Sequence, residues 1–255
     1  MHGGVLMNVA ENNTIETGER NFSLQMVLTH LIKRFEECSV YREPFPYFHI
    51  ENFFPDDFYA ELLKRKLQPN QLTPISDTGR AMNVQSRDVM PICEESLASL
   101  PDEQHAMWQF VQTIMSSNEF LFSAIKVFGN QLKALGRTQL NVYPEVLIMQ
   151  DTKGYGITPH TDRPHRLMSI MVYLPQDSSH SHLGTSVYVP KEREFRCTKG
   201  LNYSREYFDI VNTVPYVPNS AFGFLRTDNS FHGVDTIEDD VIRDTICYIV
   251  KHRLN

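Results

Sequence analysis

The 255-residue chain predicts a mainly β fold with helices, a sandwich or jelly roll that carries a helical support on its N-terminal side. Three observations predict it. Apolar residues recur with a helical period through the first half, the period changes towards two from Thr138, and turn-rich segments cut the second half into short strands. Many short strands at this spacing fit a sandwich or jelly roll better than a parallel α/β sheet.

The elements follow in order. Leu24, Val27, Leu28, Leu31 and Phe35 recur at helical spacing and predict an amphipathic helix over residues 23–37. Residues 46–50 are short and β-prone, and they lead into Pro55-Asp56-Asp57, which marks the start of a helix ending near Leu67. Residues 68–91, with few large apolar side chains, predict a long irregular loop of the kind that borders active sites. One helix starts after Pro101 and carries Met107, Phe110, Val111, Ile114 and Met115. Another runs from Asn118 to Leu135 with Gly136 as its C′ residue. Trp108 and Phe120-Leu121-Phe122 read as core packing against a sheet. Candidate strands are 139–150, 167–174, 186–189, 220–226 and 245–251, and Asp151-Thr152-Lys153-Gly154 is one of the turns between them.

Composition excludes several function classes. With 41% hydrophobic and 22% charged residues, a net charge of −7 and no long Lys/Arg run, the chain does not read as a partner of nucleic acid or of an anionic membrane. No apolar stretch approaches the roughly 18 residues that span a bilayer. Residues 1–20 have Asn, Glu and Thr where a secretion signal needs an apolar run, so they read as a poorly ordered tail on a cytoplasmic protein. The remainder, 21–255, reads as one domain with helical support over about 21–136 and a β core over about 138–255. Cys38, Cys93, Cys197 and Cys247 are far apart with no CxxC pair, which excludes a structural zinc finger and makes reduced thiols the default.

The chemistry concentrates at His160-Thr161-Asp162, His232 and Arg243. In an extended strand residues i and i+2 point to the same side, so His160 and Asp162 project together and can take adjacent positions around one ion. His232 can supply the third ligand from a neighbouring strand. Two imidazoles and one carboxylate on one face of an octahedron leave three open positions, the signature of non-haem Fe(II) oxygenases. A lone HxD triplet carries little in a chain with 10 histidines. Here it precedes the β-like run 167–174, His232 follows the run 220–225, and Arg243 opens the run 245–250.

An arginine at the edge of an apolar strand is costly unless paired, and its planar fork suits a carboxylate. Thr245, at i+2 on the same face, adds a hydroxyl donor. A dicarboxylate can then chelate the metal at one end and meet Arg243 at the other, and 2-oxoglutarate has that shape. The competing readings are ordinary strand-end polar residues for the triad and a salt bridge from Arg243 to Asp239, Asp240 or Asp244.

The order HxD, distal His, then Arg about ten residues on resembles the 2-oxoglutarate/Fe(II)-dependent dioxygenases, particularly the prolyl 4-hydroxylase-like branch. The segment Pro44-Phe45-Pro46-Tyr47-Phe48-His49-Ile50-Glu51-Asn52-Phe53-Phe54-Pro55 also resembles the entry segment of bacterial members. The resemblance runs from Pro44 to the C-terminus. It implies a double-stranded β-helix core (jelly roll, cupin-like) buttressed by N-terminal helices, with residues 21–255 as a single oxygenase domain. It further implies His160, Asp162 and His232 as iron ligands and Arg243 as the anchor of the distal carboxylate. Reduced cysteines suit a protein that holds ferrous iron. The presence of Asp162 disfavours the variant in which Gly or Ala leaves room for halide. Where many relatives carry two glycines before the strand facing the site, this chain has Leu183-Gly184-Thr185-Ser186, which points to a remodelled loop.

The resulting expectation is an Fe(II)- and 2-oxoglutarate-dependent hydroxylase that uses O2 on a C–H bond of a small-molecule or polar substrate and releases succinate and CO2. The rivals are a metal hydrolase on a cupin-like barrel and a non-catalytic jelly-roll binding module. Tyr143, Met149 and Tyr173 lie on strands that can face the pocket, as co-substrate contacts or as plain core. Arg163, Arg166 and Arg226, with Asn229, are either contacts to an anionic substrate or ordinary polar loop groups. His180-Ser181-His182 has the form of a zinc-hydrolase HxH, but no partner ligands follow at matching spacing, so it reads as a solvent loop. His49-Ile50-Glu51 lies ahead of the helices, away from the barrel strands, and His165 takes no role. Residues 68–91 and 192–217 are expected to shape the substrate pocket. Oligomeric state stays open, a homodimer among the options.

Overall fold

Eight strands of the second half wind alternately into two facing antiparallel sheets. The computed structural model describes residues 14–17, 20–81 and 84–253. In chain order the first half holds β1 (Thr14–Thr17), β2 (Arg20–Ser23), α1 (Leu24–Glu37), β3 (Tyr47–Glu51), α2 (Asp56–Lys64), β4 (Thr73–Pro74) and β5 (Arg87–Pro91). It closes with α3 (Glu94–Leu97), α4 (Asp102–Ser116), α5 (Asn118–Val127) and α6 (Gly129–Ala134). The second half holds β6 (Val142–Asp151), β7 (Ile157–His160), β8 (Arg166–Tyr173), β9 (Thr185–Pro190), β10 (Phe208–Val214), β11 (Ser220–Leu225), β12 (His232–Val234) and β13 (Arg243–His252). The larger sheet runs β3-β11-β8-β13-β6-β5-β4 and the smaller one β10-β9-β12-β7. With β6, β8, β11 and β13 in one sheet and β7, β9, β10 and β12 in the other, the core is the double-stranded β-helix expected from the sequence.

The larger sheet is buried on both faces, which is why its strands read as near-continuous apolar runs. Along β8 the odd and even positions serve different cores. Met168, Ile170 and Val172 pack outward with Val146, Ile148, Ile246 and Tyr248 against the helices, while Met171 and Tyr173 point between the sheets. Phe120 on α5 sets its edge on the Tyr248 ring, centroids 4.9 Å apart. Trp108 is buried as expected, its Nε1 donating to the Arg65 carbonyl at 2.9 Å.

The helix starts are set by local hydrogen bonds. The Ser23 hydroxyl accepts from Met26 N, and the Ser117 hydroxyl, closing α4, accepts from Phe120 N to open α5. Gly136 adopts φ 68, the left-handed conformation that ends the last helix at its predicted place.

Several expectations are corrected. Of residues 1–20, 1–13 and 18–19 lie outside the described residues, but β1 is a strand paired with β2 that buries Ile15 beside Phe22. The helix after Pro55 stops at Lys64 rather than near Leu67. The helix predicted over 118–135 breaks at Phe128, whose ring is drawn into the core and stacks on Phe48 at 5.5 Å. Phe122 is exposed rather than packed against the sheet. Residues 68–91 are not one irregular loop, since β4 and β5 extend the larger sheet by pairing through β6. Charged Arg87 and Asp88 and the terminal Pro91 hid this strand from a hydrophobicity reading. Residues 192–217 contain β10, whose run of exposed positions carries no alternation to detect.

Gly184 stands where the chain leaves the turn before β9. A Cβ there would run into the Val214 carbonyl and come within 3.1 Å of the Pro215 Cα, so the backbones approach too closely for any side chain. Gly184→Ala should cost about 1–3 kcal/mol, as overpacking does. The expected readout is a melting temperature lowered by several degrees in calorimetry.

Candidate metal centre and an adjoining anion pocket

His160 ends β7 and His232 opens β12, and the two are direct partners across the antiparallel ladder. Their rings lie 4.3 Å apart between centroids. Each imidazole uses Nδ1 on the carbonyl two residues back, Thr158 for His160 and Ser230 for His232, both at 3.0 Å. Those carbonyls fix the tautomer with the proton on Nδ1 and leave both Nε2 atoms free as ligands.

Asp162 lies beyond the end of β7, so it does not share a strand face with His160 as the sequence argument assumed. A clamp brings it back. Arg226 donates through Nε to the Asp162 carbonyl at 3.2 Å and through Nη2 to the Thr198 carbonyl at 3.0 Å. The carboxylate is then aimed by Ser169, which donates to Oδ2 at 2.6 Å, and by Arg166, which donates to Oδ1 at 2.8 Å. The candidate ligand atoms of His160, Asp162 and His232 all fall within 4.8 Å of one another.

Electrostatics keep these groups in ligand form. Burial, followed by the neighbouring His232, lowers His160 to about 3, and burial likewise lowers His232. Burial alone would raise Asp162, but Arg166, the two imidazoles and the Ser169 hydroxyl together hold it at about 2. Neutral imidazoles and an ionised carboxylate are the protonation states a divalent cation needs.

Arg243 opens β13 at the other end of the inner face and is 1% exposed. Its partner is none of the three acids considered from sequence. Nη1 pairs with Asp151 at 2.9 Å, Nε donates to the Leu183 carbonyl at 2.7 Å, and Thr245 Oγ1 accepts from Nη1 at 3.3 Å. Asp151 is held from its other side by Arg87. Two guanidinium groups, Arg243 fully buried and Arg87 partly so, therefore share one buried carboxylate, an excess of one positive charge. Arg243 Nη2 and the Tyr155 hydroxyl are buried without partners. The rings of Tyr173 and Tyr216 lie 5.3 and 5.2 Å from the Arg243 guanidinium carbon. An orphan donor beside unbalanced positive charge is chemically suited to a carboxylate. Ser169, which holds the metal ligand, and Tyr173, beside Arg243, are four residues apart on one face of β8, about 13 Å along the strand.

The other sequence candidates separate clearly. Thr245 and Tyr173 are at the anion pocket, and the Tyr173 hydroxyl bonds Thr185 Oγ1 at 2.7 Å. Tyr143 is at the opposite end of β6, 38% exposed, with the Arg253 guanidinium over its ring, so it does not reach the pocket. Arg166 is paired with Asp162, and Arg226 is committed to backbone carbonyls and to Asp228, so neither side chain is free. Arg163 is exposed on the metal loop. Asn229 donates to the Pro44 carbonyl.

Asp151, Arg87, Tyr155 and Tyr216 escaped sequence reading. Asp151 sits in a turn-rich stretch and Arg87 in a stretch with few apolar residues, and only the β5–β6 register puts them opposite each other. Residues 195–207 fold over the metal strand, with Asn202 bridging His160 and Tyr203 N donating to the Pro159 carbonyl.

No protein-family model matches this sequence, and neither does any curated protein. Solved structures do match its fold. A prolyl-4-hydroxylase from Pseudomonas putida is 14% identical, with a TM-score of 0.51 over 89% of this chain and 100% of that one. A Trichoplax adhaerens prolyl hydroxylase, solved with a peptide fragment of hypoxia inducible factor, is 12% identical, with a TM-score of 0.51 over 90% of both chains. The non-heme alpha-ketoglutarate-dependent epimerase SnoN of nogalamycin biosynthesis is 13% identical, with a TM-score of 0.50 over 88% of this chain and 80% of that one. The chain thus has the jelly-roll fold of prolyl 4-hydroxylases and related 2-oxoglutarate-dependent enzymes.

Ser169→Ala removes one of the two groups that aim Asp162 while leaving all three ligands in place. Divalent metal affinity should fall by about 10–100-fold in equilibrium dialysis, the usual effect of losing a group that orients a ligand.

Proposed function

We propose that this protein is an Fe(II)- and 2-oxoglutarate-dependent oxygenase that hydroxylates a C–H bond of a small-molecule or polar substrate, releasing succinate and CO2. The observation that carries this reading is the pairing of two sites on one inner face. One is a His2Asp cluster with both Nε2 atoms free, and the other is a buried guanidinium with an unpartnered Nη2. A metal hydrolase has use for the first and none for the second.

The donor set fits the group. Two neutral imidazoles and one carboxylate suit ferrous iron and leave positions open for co-substrate and O2. His160, Asp162 and His232 would hold the metal, which when bound supplies O2 activation coupled to oxidative decarboxylation of 2-oxoglutarate.

The chain's own residues supply position and dryness. The Thr158 and Ser230 carbonyls lock the imidazoles, and Ser169 and Arg166 hold the carboxylate ionised and directed. Arg243 Nη2 would take the distal carboxylate of the co-substrate, with the Tyr155 hydroxyl and Thr245 as further polar groups of that pocket. Arg87 prevents Asp151 from neutralising Arg243 completely. Tyr173, Tyr216 and Met171 belong to the buried cluster between the two sheets and would exclude water from the bound co-substrate. Arg163, exposed beside Asp162, is the candidate contact for a polar substrate at the rim. The four cysteines are unpaired, which supports a reducing, cytoplasmic setting, and no helix among the described residues is long and apolar enough to cross a membrane.

Anaerobic addition of Fe(II) and then 2-oxoglutarate should produce a visible metal-to-ligand charge-transfer band, and aerobic addition should consume O2. In Arg243→Leu the apparent Kd for 2-oxoglutarate should rise at least tenfold while Fe(II) affinity stays near wild type. An unchanged co-substrate affinity would falsify the anchoring role. His232→Ala should lose metal binding and O2 consumption together, and full turnover without His232 would rule out the ligand assignment.

A further inference from the structure

A second cluster of ligand-type side chains stands outside the proposed active site. His180 precedes and His182 lies within the short 3-10 turn Ser181–Leu183, and Asp239 comes from the connection between β12 and β13. Sequence spacing offered no third ligand for this HxH pair, because the partner lies 59 residues downstream of His180. The fold brings it in. His182 Nε2 is 2.8 Å and His180 Nδ1 3.3 Å from the same carboxylate oxygen, Asp239 Oδ2. All three candidate ligand atoms lie within 4.8 Å of one another.

The His180 separation matches the spacing of ligand atoms around one ion, and the His182 contact, at hydrogen-bond distance, is a few tenths of an ångström shorter. A tetrahedral zinc with bonds of about 2.0–2.1 Å spaces its ligand atoms about 3.3 Å apart. Small side-chain rotations therefore suffice to admit the ion. The backbone on both sides is already fixed. Ser181 O accepts from Tyr216 N at 2.9 Å, and Leu183 N donates to the His180 carbonyl at 3.0 Å. On the other side buried Ile237 exchanges two backbone hydrogen bonds with Gly154 and Tyr155, each 2.8 Å, which pins the segment carrying Asp239. Glu238 and Asp240 flank Asp239 in sequence and add negative charge that favours a cation. Two imidazoles and one carboxylate select a borderline transition metal over calcium or magnesium, which prefer all-oxygen sites.

We infer that His180, His182 and Asp239 form a second site, for a divalent transition metal of the zinc class, with a fourth position open to solvent. The site braces the turn whose Leu183 carbonyl accepts from Arg243 Nε at 2.7 Å. Filling the site would therefore buttress the anion pocket from outside.

Equilibrium dialysis of the full chain against zinc alone tests this. Wild type should bind two equivalents, while His182→Ala and His160→Ala should each bind one, because each removes a different site. His182 and His180 have side chains 61% and 38% exposed, so replacing either leaves the core untouched. His180→Ala should therefore repeat the loss seen with His182→Ala. Zinc held by cysteines would survive both substitutions and does not mimic the result. If His180→Ala and His182→Ala retain the wild-type stoichiometry, or wild type binds a single equivalent that only His160→Ala removes, the second site does not exist. Failure of the oxygenase reading leaves this outcome unaffected, since the His182 arm needs neither 2-oxoglutarate nor turnover.

Discussion

The register of the antiparallel ladders is the constraint on which the rest of the molecule depends. Side chains alternate between faces with period two, so a slip of one residue would move every inward group outward. In the observed register His160 faces His232 across β7 and β12, while Arg243, Asp151 and Arg87 line up in one row across β13, β6 and β5. Thr245 and Tyr173 form the next row, paired between β13 and β8. Two-sided burial of the larger sheet enforces this choice, because the opposite register would turn Met168, Ile170 and Val172 away from the helices they pack against.

The cost of this arrangement is concentrated in the buried charges. Arg243 is at 2% side-chain exposure and Asp151 at 0%, and such a pair seldom stabilises a fold more than apolar side chains of the same volume would. Burial works against the charge on Arg243, and Asp151 more than restores it. What the trio Arg87, Asp151 and Arg243 contributes is a fixed, largely buried excess of positive charge, which suits the proposed anion pocket better than it stabilises the fold. The metal cluster follows the same logic with the sign reversed, since Asp162 stays ionised in a buried place because Arg166 and Ser169 hold it.

The parts of the site differ in how the fold builds them. His160 and His232 are strand residues, positioned by ladder hydrogen bonds and by carbonyls two residues away. Asp162 is a loop residue, positioned by three side chains from two other segments: Arg166 and Ser169 on β8, and Arg226, which reaches it from 64 residues away. From sequence, Arg166 and Arg226 read equally as substrate contacts or as ordinary polar loop groups. In the folded chain both are spent on holding Asp162, and of the three only Arg163 is exposed.

The sequence by itself determined what local pattern can encode. Helical period named α1 and α4, period two and turn residues named the long strands, and the order of His160, Asp162, His232 and Arg243 marked the candidate site. Those signals are legible because each depends on residue type and short spacing. Tertiary structure decided everything that depends on which strands become neighbours. It made β5 a strand although its charged residues conceal it, gave Arg243 the partner Asp151 rather than a nearby acid, exposed Phe122 and Tyr143, and delivered Asp239 to His180 and His182. Each of these is a long-range contact set by sheet order, and sheet order follows from burying both faces of the larger sheet at once, which no local window of the chain contains.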